Sequence, residues 1–157
     1  MMYLDRMTGS DLSTAQGRIG RSLSDWTEHT DKLLHRAMQY LSSIPQCDLV
    51  YHITEGTKTE NIYLETYVDA DHAGDPLCSK SCTGMVSMVH SSCGGVKGTI
   101  GWCSRRQKST AWSTGEAGIV ALGECMMDSM RTLTIADILL CPTSTRRRRF
   151  DMGSFTM

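Results

Sequence analysis

Tyr67-Val68-Asp69-Ala70-Asp71-His72-Ala73-Gly74-Asp75 is the stretch on which the reading of this chain turns. An alternating run leads into it: Leu64, Thr66, Val68 and Ala70 fall on one side of an extended chain, and Glu65, Tyr67 and Asp69 on the other. That period of two predicts a half-buried strand over 62–70 that ends in three carboxylates, Asp69, Asp71 and Asp75. Working outward, Thr83 to His90 reads as a second strand, and Gly94-Gly95 suits the tip of a hairpin. A third strand follows over 99–105, around Ile100 and Trp102. Ser113 or Thr114 then caps a helix, and Glu116 lies in its first turn, where the helix dipole favours negative charge. Ile119, Leu122, Met126, Met130 and Leu133 give that helix its apolar stripe, which runs on to Leu140. Three successive antiparallel strands form a meander, which needs a helix on at least one face for stability. The fold class is mixed α/β (α+β).

The flanks are less regular. Residues 1–20 are polar and show no period, so they read as a loose lead-in. A packing helix is expected from a Ser24 cap to Pro45, with Trp26, Leu33, Leu34, Ala37, Met38 and Leu41 on one face. Asp48 to His52 reads as a short extended strand, and residues 53–61 as a polar loop. Beyond Cys141 the pattern stops, and the run Arg146-Arg147-Arg148-Arg149 makes 141–157 a basic disordered tail. The chain thus divides into a lead-in at 1–20, a helical connection at 21–58, the main domain at 62–140 and the tail at 141–157.

At 157 residues the chain is long enough for one domain with a real core. Its 40% hydrophobic and 21% charged residues place it among globular proteins, and a net charge of −1 singles out no strongly electrostatic partner. No apolar run approaches the roughly 18–20 residues of a membrane span, and the N-terminus lacks a basic-then-apolar signal pattern. The expectation is an intracellular protein, cytoplasmic or nuclear, with no membrane partner. Seven cysteines in no Cys-x-x-Cys arrangement argue for reduced thiols over a disulfide framework. Cys78, Cys82, His90 and Cys93 do not have the spacing of a common zinc site.

Four pieces together carry a resemblance: Asp69 to Asp75, Lys80-Ser81-Cys82-Thr83-Gly84, Ile100 to Lys108, and Ser113 to Leu122. In this order they resemble the ribonuclease H region of copia-type retrotransposon polyproteins. Leu34-His35-Arg36-Ala37-Met38-Gln39-Tyr40-Leu41, within Trp26 to Tyr51, is similar to the connection that follows the reverse transcriptase in those polyproteins. The likeness spans about residues 18–140 and implies an incomplete ribonuclease H-like fold. It also implies hydrolysis of RNA in an RNA–DNA hybrid by two Mg²⁺ or Mn²⁺ ions about 3.5–4 Å apart. Asp69 and Glu116 match the first two metal-binding catalytic acids and are expected to converge on one side of the sheet. The third and fourth acids have no counterpart in 142–157, and Gly118 stands where the family usually has Glu. The resemblance therefore implies a truncated, inactive polyprotein fragment that holds metal weakly or not at all.

Nucleic acid, the RNA–DNA hybrid first, is the implied partner, with other polyprotein parts beside it. Arg105, Arg106 and Lys108 after the third strand, and Arg146, Arg147, Arg148 and Arg149 in the tail, would meet its phosphates. The alternatives are a non-catalytic nucleic-acid-binding remnant and a domain with no surviving role. From the residues alone, the favoured reading of Asp69, Asp71 and Asp75 is a solvated strand-end loop, and that of Trp102 and Trp112 is core residues.

Overall fold

A computed structural model describes residues 10–44, 49–75, 78–140 and 155–156. Its centre is the meander: β2 (Ile62–Asp71), β3 (Cys82–Ser91) and β4 (Val96–Arg106), each antiparallel to the next. Two-residue strands extend both edges. β1 (His52–Ile53) pairs antiparallel with β4, and β5 (Phe155–Thr156) pairs parallel with β2, giving the order β1-β4-β3-β2-β5. The register of β3 against β4 slips between Ser87 and Met88. Ser87 faces Gly101 and Met88 faces Thr99, leaving Ile100 as the extra residue of a bulge.

Alternation along β2 sorts its side chains as expected. Leu64, Thr66 and Val68 are buried, while Tyr63, Tyr67 and Asp69 are exposed on the opposite face. The buried face is covered by a long helix, Thr114–Leu140, which is here called α3. Ser113 starts it, its Oγ accepting from Glu116 N at 3.1 Å. The helix meets the sheet through Ala117, Ala121, Cys125 and Ser129, all buried and spaced four residues apart. Ala121 and Cys125 cluster with Val68, and Ala70 and Met85 pack against them.

This corrects the expected stripe. Ile119 is 69% exposed and Met130 48%, because the helix is apolar nearly all round and small residues let it approach the sheet more closely. Hydroxyls share the interface: Thr66 Oγ1 lies 3.1 Å from Ser87 Oγ and 3.0 Å from Ser129 Oγ.

The other face is partly covered by elements from the N-terminal part of the chain. A 3-10 turn, Ser10–Leu12, leads into α1 (Ser13–Arg21), so residues 10–21 are not a loose lead-in. Leu12 and Ile19 are buried, and Thr14 Oγ1 donates to Ser104 Oγ at 3.1 Å, fastening α1 to β4. α2 (Glu28–Ser43) begins four residues later than Ser24; its cap is Thr27, whose hydroxyl accepts from Thr30 N at 3.4 Å. Met38 is 52% exposed, and of the expected apolar face only Ala37 is fully buried. The extended link at 48–52 reduces to β1, whose partner is Val96–Lys97. Trp112 is 94% exposed and is not a core residue. The tail at 141–154, with Arg146–Arg149, lies outside the described residues. Among the described residues no helix is long and apolar enough to cross a membrane.

Candidate binding cleft

The face of the sheet that α3 leaves open builds a hollow from three strands. Tyr67, Val86 and Trp102 stand in one cross-strand row, and Asp69, Gly84 and Ser104 in the next. Neighbouring strands are about 4.8 Å apart, so Tyr67 and Trp102 rise from backbones roughly 9–10 Å apart with Val86 between them. Gly84 contributes no side chain to the middle of the second row. A Cβ placed there would meet nothing closer than Asp69 O at 3.8 Å, so the space above it is open. The start of α1 forms the lip, with Ser10, Ser13 and Thr14 facing the sheet. The resulting cleft holds about 440 Å³, within the range of small-molecule sites. A smaller hollow of about 150 Å³ adjoins it past Asp69, lined by Arg18 and Arg21 of α1 together with Asp71 and Cys82.

The polar groups around the cleft are held in place. Asp69 Oδ1 accepts from Ala70 N at 2.8 Å. Tyr67 is bonded to Glu65, which raises the phenol's pKa above its ordinary value. Glu65 in turn lies 3.3 Å from His90 Nε2, and His90 stacks on Tyr63 at 5.8 Å between ring centroids. Burial pushes the thiols of Cys82 and Cys103 up from their usual range, so neither is an activated nucleophile.

The two acids expected to converge do not. Asp69 points to the α1 side of the sheet, whereas Glu116 belongs to α3 on the other side. Glu116 Oε2 is occupied locally, accepting from Trp112 N at 2.7 Å. Among the described residues no group of three or more His, Cys, Asp or Glu side chains could hold a metal ion. A Mg²⁺ site built on Asp69 and Glu116 therefore does not fit: hard cations need several oxygens converging from one side.

The expected basic surface is also divided. Arg105 lies on the α3 face, with Nε 3.2 Å from Glu124 and Nη2 2.9 Å from Asp128. Arg106 reaches the buried carboxylate of Asp75 at 3.2 Å, which Arg21 also approaches at 3.7 Å. Lys108 is exposed, and its carbonyl accepts from Lys80 Nζ at 2.7 Å. Arg105 and Arg106 thus pair with carboxylates of the domain itself. The one sequence signal for α1 was Ile19, seven residues after Leu12 and so on the same side of a helix.

No profile of a known protein family matches the chain, and no solved structure matches it. Over 130 residues the chain is 29% identical to secreted RxLR effector protein 161 of Plasmopara viticola, an alignment covering 83% of this chain and 84% of the relative. The chain is similar to a secreted effector protein. That finding overturns the expected origin in a retrotransposon polyprotein, with its reverse transcriptase connection, and the expected ribonuclease H function. An Arg-x-Leu-Arg run does not occur in this sequence; Arg21-Ser22-Leu23-Ser24 and Arg131-Thr132-Leu133-Thr134 match two of its three defined positions and lack the final Arg.

Proposed function

We propose that this chain is a binding domain of the secreted-effector kind, whose working surface is the cleft between α1 and the open face of the sheet. The observation that carries the reading is the cleft itself: about 440 Å³, floored by Val86 and Gly84 and walled by Tyr67 and Trp102. Sites for small ligands and for single anchoring side chains combine such an apolar floor with a few placed polar groups. The named relative supports the class, since the aligned region includes most of both chains. In fold, the meander followed by a helix on one face follows the order of the first half of a ribonuclease H-like architecture. The likeness is one of element order alone, with no activity attached.

The described cysteines, Cys78, Cys82, Cys93, Cys103 and Cys125, are all free thiols, which suits residence in a reducing compartment. The place of action in this proposal is therefore the interior of a cell, whatever route brings the chain there. A fragment screen by amide chemical-shift perturbation tests the binding surface. Hits should move the amides of Tyr67, Gly84, Val86 and Trp102 together. Hits that concentrate on the outward side of α3, around Ile119 and Met127, would sink the assignment.

A further inference from the structure

We propose that the hollow over Gly84 takes an organic cation, an ammonium or methylated ammonium group on an apolar stem; this rests on the cleft being the working surface. The walls suit such a group. Tyr67 and Trp102 both border the cleft, on backbones roughly 9–10 Å apart, and the row beside them is left open by Gly84. Aromatic faces attract cations through their quadrupoles, and Trp does so best.

The charge at the end of the hollow has the matching sign. Among the described residues lining the cleft, Asp69 is the one acidic or basic side chain, and one of its oxygens already holds Ala70 N. Its other oxygen has no partner among the described residues and is left for a ligand.

An anion finds less here. Arg18 and Arg21 line the adjoining hollow together with Asp69 and Asp71, and Arg105, which also borders it, is paired with Glu124 and Asp128. Arg21 is also drawn towards Asp75 at 3.7 Å. The same cationic chemistry reaches the site either as a free amine or as a lysine side chain of a partner peptide.

The test is a titration of the full chain followed by amide shifts. The probes are choline chloride, its neutral isostere 3,3-dimethyl-1-butanol, sodium acetate, and a lysine-rich peptide with its acetylated form. Choline should move the amides of Asp69, Gly84 and Trp102, and the alcohol should bind at least about tenfold more weakly. Asp69→Asn should weaken choline by a similar factor. Gly84→Val changes no charge and suits a strand, so it should keep the melting temperature while abolishing the shifts by filling the hollow. Tighter binding of choline than of the peptide identifies a free amine, and the reverse order with loss on acetylation identifies a lysine; either supports the proposal. Equal binding of the alcohol, indifference to Asp69→Asn, or acetate moving the same amides overturns the cation while leaving the cleft as a binding surface. Shifts in the cleft with none of the five probes overturn the cation, and a fragment screen that is also silent there removes the cleft reading with it.

Discussion

Gln107 shows how much can hang on one side chain. It is 1% exposed, and its Nε2 donates to Thr83 Oγ1 at 3.1 Å and to Ala117 O at 2.9 Å, tying β3 to the first turn of α3. Gln107→Ala should cost about 1–3 kcal/mol in chemical denaturation, since it strips a buried hydroxyl of its donor. A loss under roughly 0.5 kcal/mol would mean that water replaces the amide at no cost.

Cys125 carries a pH dependence. Burial pushes its thiol from an ordinary value of 9.0 up to about 12. Below 9 the thiol is neutral in both folded and unfolded chains, so its contribution is fully present. As pH rises from 9 towards 12 the unfolded chain ionises first, and that stability is progressively lost. Alkaline denaturation should therefore be less steep in Cys125→Ala, and an unchanged profile would refute the assignment. The sequence made Asp69 legible through the alternation around it. It could not show that Asp69 faces α1, because that depends on where a polar helix comes to rest.

At the scale of elements, α3 was legible in extent and misread in orientation. Its cap at Ser113 is a local signal, whereas its inner face is chosen by how closely it can approach the sheet. With apolar residues nearly all round, hydrophobic periodicity did not favour one side, and the small residues Ala117, Ala121, Cys125 and Ser129 went inward. Ala121→Leu should lift the helix from Val68 and cost about 1–3 kcal/mol by overpacking, read as a fall in melting temperature. Ile119→Ser, on the outward side, should change stability by less than about 0.5 kcal/mol. Equal effects would show that the sequence stripe had been right. The three main strands were legible to within three residues at each end, because alternation and hairpin glycines are local.

For the molecule as a whole, α1 is the element least expected from sequence and the one that completes the cleft. Ser13–Arg21 contains two glycines and one large apolar residue, so local propensity gives it little support, and contacts with β4 and Asp75 hold it. A chain beginning at Asp25 should keep the sheet and α3, with far-ultraviolet dichroism reduced by about one short helix. It should also expose Tyr67, Val86 and Trp102 enough to bind a hydrophobic dye. Global unfolding of that shortened chain would show α1 to be part of the core.

The meander also sets an order in time. Ser91 and Val96 are joined by four residues, so β3 and β4 have the cheapest loop to close. α3 must travel back past β4 to reach Val68, a contact between residues more than fifty positions apart. Local pairings form quickly and distant ones late, so the β3–β4 hairpin should nucleate folding and α3 should dock last. Gly94, at φ 71°, is the pivot of that hairpin. Gly94→Ala should slow refolding, whereas Ala121→Leu should mainly speed unfolding. In a cell, the last-docking helix would leave the Val68 face uncovered for the longest part of folding, which makes the arrival of α3 the step most exposed to misassembly.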